Sequence, residues 1–330
     1  MRTRQLGPFE VSAVGLGCMS LSHAYGTPPA PEAAGKLLLD ALDMGITHFD
    51  TAALYGFGQN ESLIGKYLAP HRDKFTLASK CGMGPTAEGT REISNRPDKL
   101  RKTCESSLKR LNTDVIDLYY LHRWDKVTPI EEAVGALAEL VAEGKIRAIG
   151  LSEVSAETLR KAHGEHPIAA VQTEYSLWTR NPEIAVADLC RDIGASLVAF
   201  SPLARAFLTG KLRDPDGLEA KDLRRQMPRF SADNYSKNLQ LLGGFADVAA
   251  SEGCSMAELA IAWLIAKSDH ILPIPGTTNA AHLAENIRGG AVDISTEAMV
   301  QLEALINNST VSGPRYNAKT QTEIDTEEFA

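Results

Sequence analysis

Short apolar runs alternate with amphipathic stretches from one end of the chain to the other. Eight of the runs read as strands: Ala13–Leu16, Thr47–Asp50, Thr76–Ser79, Ile116–Leu121, Ala148–Leu151, Ala170–Thr173, Ser196–Phe200 and His270–Pro273. Between them, apolar residues recur at helical spacing over Glu32–Met44, Pro97–Leu111, Pro129–Glu143, Ser155–His163 and Asn181–Ile193. Ser155 stands where an N-cap side chain accepts from the first helical turn. Pro97 and Pro182 stand where a first-turn proline is tolerated. Regular βα alternation predicts a parallel sheet, and eight such units in one uninterrupted chain predict a closed (β/α)8 barrel, a TIM barrel of the α/β class. Residues 1–330 are accordingly read as a single domain, with residues 1–12 as an N-terminal hairpin and about 310–330 as a C-terminal loop and loose tail.

One spacing departs from the rest. The seventh and eighth strand starts lie 74 residues apart, at 196 and 270, so the loop after the seventh strand is enlarged. Residues 205–229 of this insertion carry seven Lys/Arg against four Asp/Glu inside a chain of net charge −8. A basic loop over a barrel mouth can grip an anion, and residues 205–233 are read as a cofactor clamp.

The acidic balance gives no electrostatic support for nucleic-acid binding. Five scattered cysteines, Cys18, Cys81, Cys104, Cys190 and Cys254, form no CxxC pair, which argues against a disulfide framework or a zinc site and fits a reducing compartment. No apolar run approaches the roughly 20 residues of a membrane helix. The first ten residues, MRTRQLGPFE, hold no signal-like apolar stretch. A cytoplasmic protein without a bound metal, acting as monomer or homodimer on small molecules, is expected.

In a barrel, chemistry gathers where strands end. The strand ends here read Asp50, Lys80, His122, Ser152, Gln172 and Phe200-Ser201, with Tyr55 on the loop after Asp50. A lysine ammonium beside a phenol favours the phenolate, and an aspartate keeps the buried lysine charged. A histidine can hydrogen-bond a carbonyl oxygen. These four types move a proton but supply no electrons, so a hydride cofactor is implied. "GLGCMS" at 15–20 is a poor dinucleotide fingerprint, lacking the third glycine. "ILPIPGTTNAAHLAEN" at 271–286 is the better site: Thr277, Thr278 and Asn279 open a helix whose free N–H groups suit a phosphate, opposite Lys211 of the insertion.

The contexts "FDTAALYG", "ASKCG" and "LYYLHRWD" resemble the catalytic tetrad of the aldo-keto reductases, and the likeness continues through "IRAIGLSEVS", "VQTEYSLWTR", "VAFSPLARAFLTGK" and "IPGTT". The resemblance implies that Tyr55 is the general acid in carbonyl reduction, that Lys80, held by Asp50, tunes it, and that His122 orients the carbonyl. It implies NADP(H) as preferred cofactor, with NAD(H) usable. Ser152 and Gln172 fall at nicotinamide-amide contacts and Phe200 at the stacking ring. Ser201, Leu203 and Lys211 fall at pyrophosphate contacts, with Pro202 between them. Gly276, Thr277, Asn279, His282, Glu285 and Asn286 fall at the adenosine end. Two positions depart from the common pattern: Glu153 replaces an asparagine after Ser152, and His282 replaces an arginine that grips the 2′-phosphate. Arg205, Arg213, Arg224, Arg225 and Arg229 are candidates to compensate. Tyr25, Met83, Trp124 and Trp178, on βα loops, are expected to wall a pocket for a bulky or aromatic carbonyl. The implied activity is reversible reduction of an aldehyde or ketone. The alternatives are an NAD(H)-using dehydrogenase of a bulky secondary alcohol and, in a different class, a nucleotide-binding redox sensor of a channel-type complex.

Overall fold

The computed structural model of the protein describes residues 2–86 and 88–329. The chain opens with an antiparallel hairpin, β1 (Thr3–Leu6) and β2 (Phe9–Ser12). Strands β3 (Leu16–Gly17), β4 (His48–Asp50) and β5 (Thr76–Cys81) follow. A second small hairpin, β6 (Met83–Pro85) with β7 (Arg91–Ile93), projects beyond β5. Then come β8 (Ile116–Leu121), β9 (Ile146–Ser152), β10 (Ile168–Glu174), β11 (Ser196–Phe200) and β12 (Ile271–Ile274). Eight strands, β3-β4-β5-β8-β9-β10-β11-β12, lie side by side in that order, each pair parallel. Two backbone hydrogen bonds complete the ring, from Gly15 N to Pro273 O at 3.0 Å and from Gly17 N to Pro275 O at 3.2 Å. Only glycine fits at this seam, since a Cβ on Gly17 would stand 2.8 Å from the Ile274 carbonyl oxygen.

The helices are α1 (Pro31–Asp43), α2 (Gln59–Leu68), α3 (Pro97–Leu111), α4 (Ile130–Ala142), α5 (Ala156–Glu165), α6 (Val186–Asp192), α7 (Ala232–Leu239), α8 (Leu241–Ser251), α9 (Met256–Lys267), α10 (Ala280–Gly289), α11 (Thr296–Leu305) and α12 (Ala318–Gln321). Their apolar faces and the outer faces of the strands make the larger core. α9 is buried on nearly every side, which is why it is apolar all round. Among the described residues no single helix is long and apolar enough to cross a membrane.

A second core fills the barrel itself. Ala78, Leu118, Tyr120, Ala148, Ala170, Val198 and Leu272 point inward, and Leu6 and Val11 of the first hairpin plug the end where the strands begin. Gly150 makes room for Tyr120, whose ring lies 2.3 Å from where a Cβ would be. Side chains alternate along a strand, so the next inward positions toward the opposite end are Lys80, His122, Ser152, Gln172 and Phe200. The packed interior thus has a polar cap at the C-terminal ends of the strands.

Two expectations are corrected, and the enlarged loop after the seventh strand takes a definite form. The helix expected over Asn181–Ile193 begins only at Val186, because Asn181–Glu183 forms a separate tight turn and Ala185 is non-helical at φ −157°, ψ −40°. Much of the insertion is a series of short turns, with α7 to α9 completing the long connection to β12. The C-terminal segment is docked, not loose. Asp325 N donates to Glu153 O at 2.9 Å, the Asp325 carboxylate accepts from Ser155 and Thr158 at the start of α5, and Ile324 is buried.

Candidate active site

β4 delivers Asp50 at its last residue, and the loop that follows brings Tyr55 back over the barrel. Three hydrogen bonds shape that loop: Thr51 N to Ala78 O at 2.9 Å, Ala53 N to Lys80 O at 3.2 Å and Tyr55 N to Ala52 O at 3.0 Å. Gly56, Phe57 and Gly58 then take left-handed conformations and turn the chain into α2. The Lys80 ammonium pairs with Asp50 Oδ1 and donates to Thr51 O at 2.8 Å and to the Tyr55 hydroxyl at 3.3 Å. Asp50, Tyr55, Lys80 and His122 are all buried. The His122 ring meets the Tyr55 ring edge-on, with centroids 5.8 Å apart, and neither of its nitrogens is hydrogen-bonded among the described residues.

The electrostatics differ in sign from the sequence expectation. Burial pushes the Tyr55 phenol above its ordinary 10.0, and the Lys80 cation offsets only part of that push. Burial pulls Lys80 down, but Asp50 and Tyr55 outweigh it, so its net shift is upward. Burial, with the Arg123 and Lys80 charges, holds His122 well below 6.5. The resting site therefore contains a neutral phenol, a cationic lysine and a neutral imidazole around a carboxylate: a proton donor and an uncharged hydrogen-bonding ring facing one space.

That space is a cavity of about 710 Å³ at the C-terminal ends of the strands, within the ~300–1,000 Å³ of small-molecule sites. Tyr55, His122, Ser152, Gln172, Phe200, Ser201, Pro202, Leu203, Lys211, Gly276, Thr277, His282, Glu285 and Asn286 line it, with Tyr25 and Met83. Asn279 does not; its side chain caps α10 by accepting from Ala281 N and His282 N. Gln172 is partly committed elsewhere, because its Nε2 donates to Asp50 Oδ2 at 2.7 Å. Trp178 is a further correction. It is 3% exposed and stacked on Phe207 at 4.2 Å under the insertion, so it belongs to the core. Trp124 likewise does not line the cavity, and its indole N–H is held by Thr128 O at 2.8 Å.

The insertion's arginines are mostly spent on the protein. Arg205 pairs with Glu174 at 2.7 Å, Arg224 with Asp222 at 2.6 Å, Arg225 donates to the Asp216 and Leu218 carbonyls, and Arg229 to Trp178 O and Thr179. Arg213 is exposed. Ser201, Ala204, Arg205 and Ala206 all have positive φ, so the loop after β11 holds an intrinsically unfavourable shape over the cavity. Glu153, also at positive φ, is not aimed at a ligand: it is buried against Arg315 of the C-terminal segment. Sequence reasoning missed His23, 5.4 Å ring to ring from Tyr55, and Arg91, Arg123, Tyr316, Asn317 and Thr320 on the wall. No signal in the barrel-strand pattern marked them, since Arg91 opens the small β7 hairpin strand, Thr320 lies in α12, and the others sit on loops or the C-terminal segment. Among the described residues no cluster of His, Cys, Asp or Glu suits a metal, and all five cysteines are unbridged.

A sequence profile described as the Aldo/keto reductase family matches residues 13–307. The chain belongs to the aldo/keto reductase family. A Schizosaccharomyces pombe aldo-keto reductase designated NADP(+) is 42% identical over 320 residues, covering 95% of this chain and 94% of its own. A probable aldo-keto reductase of Glycine max is 41% identical over 93% of this chain and 89% of its own. The solved glycerol dehydrogenase of Gluconobacter oxydans superposes with a TM-score of 0.85 at 28% identity, covering 94% of this chain and 97% of that one. An oxidoreductase of carbonyl compounds is thereby shown. As an aldo-keto reductase, the protein needs a nicotinamide cofactor, and the cavity fits one: Asn286 is buried, yet its Oδ1 has no partner among the described residues, as an acceptor reserved for a ligand N–H would be.

Proposed function

We propose that the protein reduces an aldehyde or ketone to the alcohol with NADPH, reversibly, Tyr55 supplying the proton. The observation that carries this reading is the buried Lys80 ammonium shared between Asp50 and the Tyr55 hydroxyl, with Tyr55 and an uncharged His122 lining one cavity. The bound cofactor supplies a hydride to the carbonyl carbon. His122 hydrogen-bonds the carbonyl oxygen and holds it near the phenol. Tyr55 gives that oxygen its proton, and Lys80 stabilises the phenolate left behind. In the reverse direction the phenolate takes the proton back. Ser152 and the Gln172 amide oxygen, which has no partner among the described residues, suit the nicotinamide amide, and Phe200 suits its ring. Ser201, Pro202, Leu203 and Lys211 suit the pyrophosphate. Gly276, Thr277, His282, Glu285 and Asn286 suit the adenosine end, where Asn279 serves only through the helix it caps.

NADP(H) is favoured by the relative designated NADP(+). The exposed His282 keeps NAD(H) usable, because imidazole grips a phosphate less firmly than a bidentate guanidinium. The test is consumption of NADPH and of NADH, at equal concentration, across a panel of aldehydes and ketones. Wild type turns over with an NADPH preference, and Tyr55→Phe loses turnover by roughly 10²–10⁴-fold while still binding cofactor. Unimpaired reduction by Tyr55→Phe eliminates the proposed donor.

A further inference from the structure

The cavity wall carries five cations, Arg91, Arg123, Arg205, Lys211 and Arg224, against one carboxylate, Glu285. Three have partners outside the cavity: Arg205 in Glu174, Arg224 in Asp222 and Arg91 in Glu323. Lys211 belongs to the insertion and to the pyrophosphate positions. Arg123 is different. It follows His122 directly, and among the described residues no carboxylate lies within ion-pair distance of it. Its NH1 donates to two neutral acceptors, the His122 carbonyl at 2.7 Å and Ser152 Oγ at 3.1 Å. Its Nε and NH2 make no hydrogen bond to the described residues.

The chain fixes this guanidinium in advance. Arg123 O accepts from Asn95 Nδ2 at 3.0 Å, and Asn95 and Asp125 exchange hydrogen bonds of 2.7 and 2.6 Å that lock the loop. Asn95 is fully buried. Arg123 lines the cavity beside His122 and Ser152, and so stands at its reacting end, where its charge also bears on the Tyr55 phenol and the His122 imidazole. A half-buried, pre-positioned cation with two free donor edges is complementary to an oxyanion and costs a ligand little ordering entropy.

We propose that the substrate is an aldehyde or ketone bearing an oxyanion, carboxylate or phosphate, and that Arg123 binds that group. This rests on the carbonyl-reductase reading above. The anion takes no part in bond making; the carbonyl carbon gains the hydride and its oxygen the Tyr55 proton. The aromatic wall expected from the sequence is weakened in any case, since Trp124 and Trp178 do not reach the cavity.

The test compares kcat/KM with NADPH for two matched pairs, para-carboxybenzaldehyde against benzaldehyde and glycolaldehyde phosphate against glycolaldehyde. The enzymes are wild type, Arg123→Lys and Arg123→Leu. Wild type favours the anionic member of at least one pair by about tenfold or more, as charge-assisted hydrogen bonds allow. That preference falls toward unity in Arg123→Leu, chiefly through KM, and is partly restored in Arg123→Lys. The pair that shows it tells carboxylate from phosphate. Equal reduction of both members by wild type overturns the proposal and leaves the reductase reading standing, whereas reduction of neither member of either pair counts against both. A preference unchanged in Arg123→Leu, with weakened NADPH binding by fluorescence titration, assigns Arg123 to the cofactor and also overturns it.

Discussion

Arg315, in the C-terminal segment, forms a buried ion pair with Glu153, the residue that follows β9. The same guanidinium reaches Glu174 at 3.4 Å, and Glu174 is also paired with Arg205 from the insertion. Two carboxylates and two guanidiniums thus tie four separate segments together at the barrel mouth: the ends of β9 and β10, the insertion and the C-terminal segment. Removing one member strands a buried charge. Arg315→Met is expected to destabilise the protein by about 3–5 kcal/mol, measured by urea unfolding. Adding Glu153→Gln should recover part of that loss. Arg205 and Arg315 together hold Glu174 down at about 2 despite burial. A depressed carboxylate stabilises the fold above its unfolded value of 4.5, and that contribution disappears as pH falls from 4.5 toward about 2. Acid unfolding of Arg315→Met should accordingly begin at higher pH than in wild type.

The reduction rate should vary little with pH through neutrality. His122, held below 6.5, stays uncharged at neutral pH, and Tyr55, raised above 10.0, stays protonated. A raised phenol keeps its proton to higher pH, so reduction declines only as pH climbs past 10.0, while alcohol oxidation, which needs the phenolate, rises over the same range. Initial rates in both directions from pH 6.5 to above 10.0 check this. A steep loss of reduction on passing from pH 7 to about 8 would contradict the burial-dominated Tyr55.

His282→Arg should strengthen NADPH binding and leave NADH binding nearly unchanged. A guanidinium on the 2′-phosphate adds about 1.5–3 kcal/mol, read as a fall of roughly tenfold or more in the dissociation constant for NADPH. NADH, lacking that phosphate, should change little. Titration of both cofactors against both proteins decides it.

Trp178→Ala should behave as a core mutation. The ring is stacked on Phe207 and edge-on to Phe230, with Arg229 over its face. Its removal should cost about 3–5 kcal/mol of stability, yet leave the ranking of carbonyl substrates as in wild type. A reordered substrate profile would return Trp178 to the pocket.

Much of this architecture was legible because periodicity reports burial. All eight barrel strands lie at or within a few residues of their apolar runs, and Asp50, Lys80 and His122 stood out as ionisable groups closing such runs. What stayed hidden depends on contacts between distant segments. Nothing local marks TEIDTEEF, residues 322–329, as docked, because its anchors, Asp325 on Ser155 and Glu323 on Arg91, need partners far away in sequence. Trp178 lies on a βα loop, but the insertion folds over it and turns a wall into core. The sign of the Tyr55 shift was misread for a related reason: the spacing put a lysine beside the phenol but carried no measure of how thoroughly both are buried.

Among the described residues the ring of strands is joined at one place by two backbone hydrogen bonds, between the segment at Gly15 and Gly17 and that at Pro273 and Pro275. Gly17, Pro275 and Gly276 also line the cavity. A molecule seated across them would act as a clasp on the narrowest joint of the barrel, holding the first strand to the last. Amide exchange at Gly15 and Gly17 would then serve as a gauge of occupancy, slowing as the site fills, even though the chemistry takes place at the other strand ends.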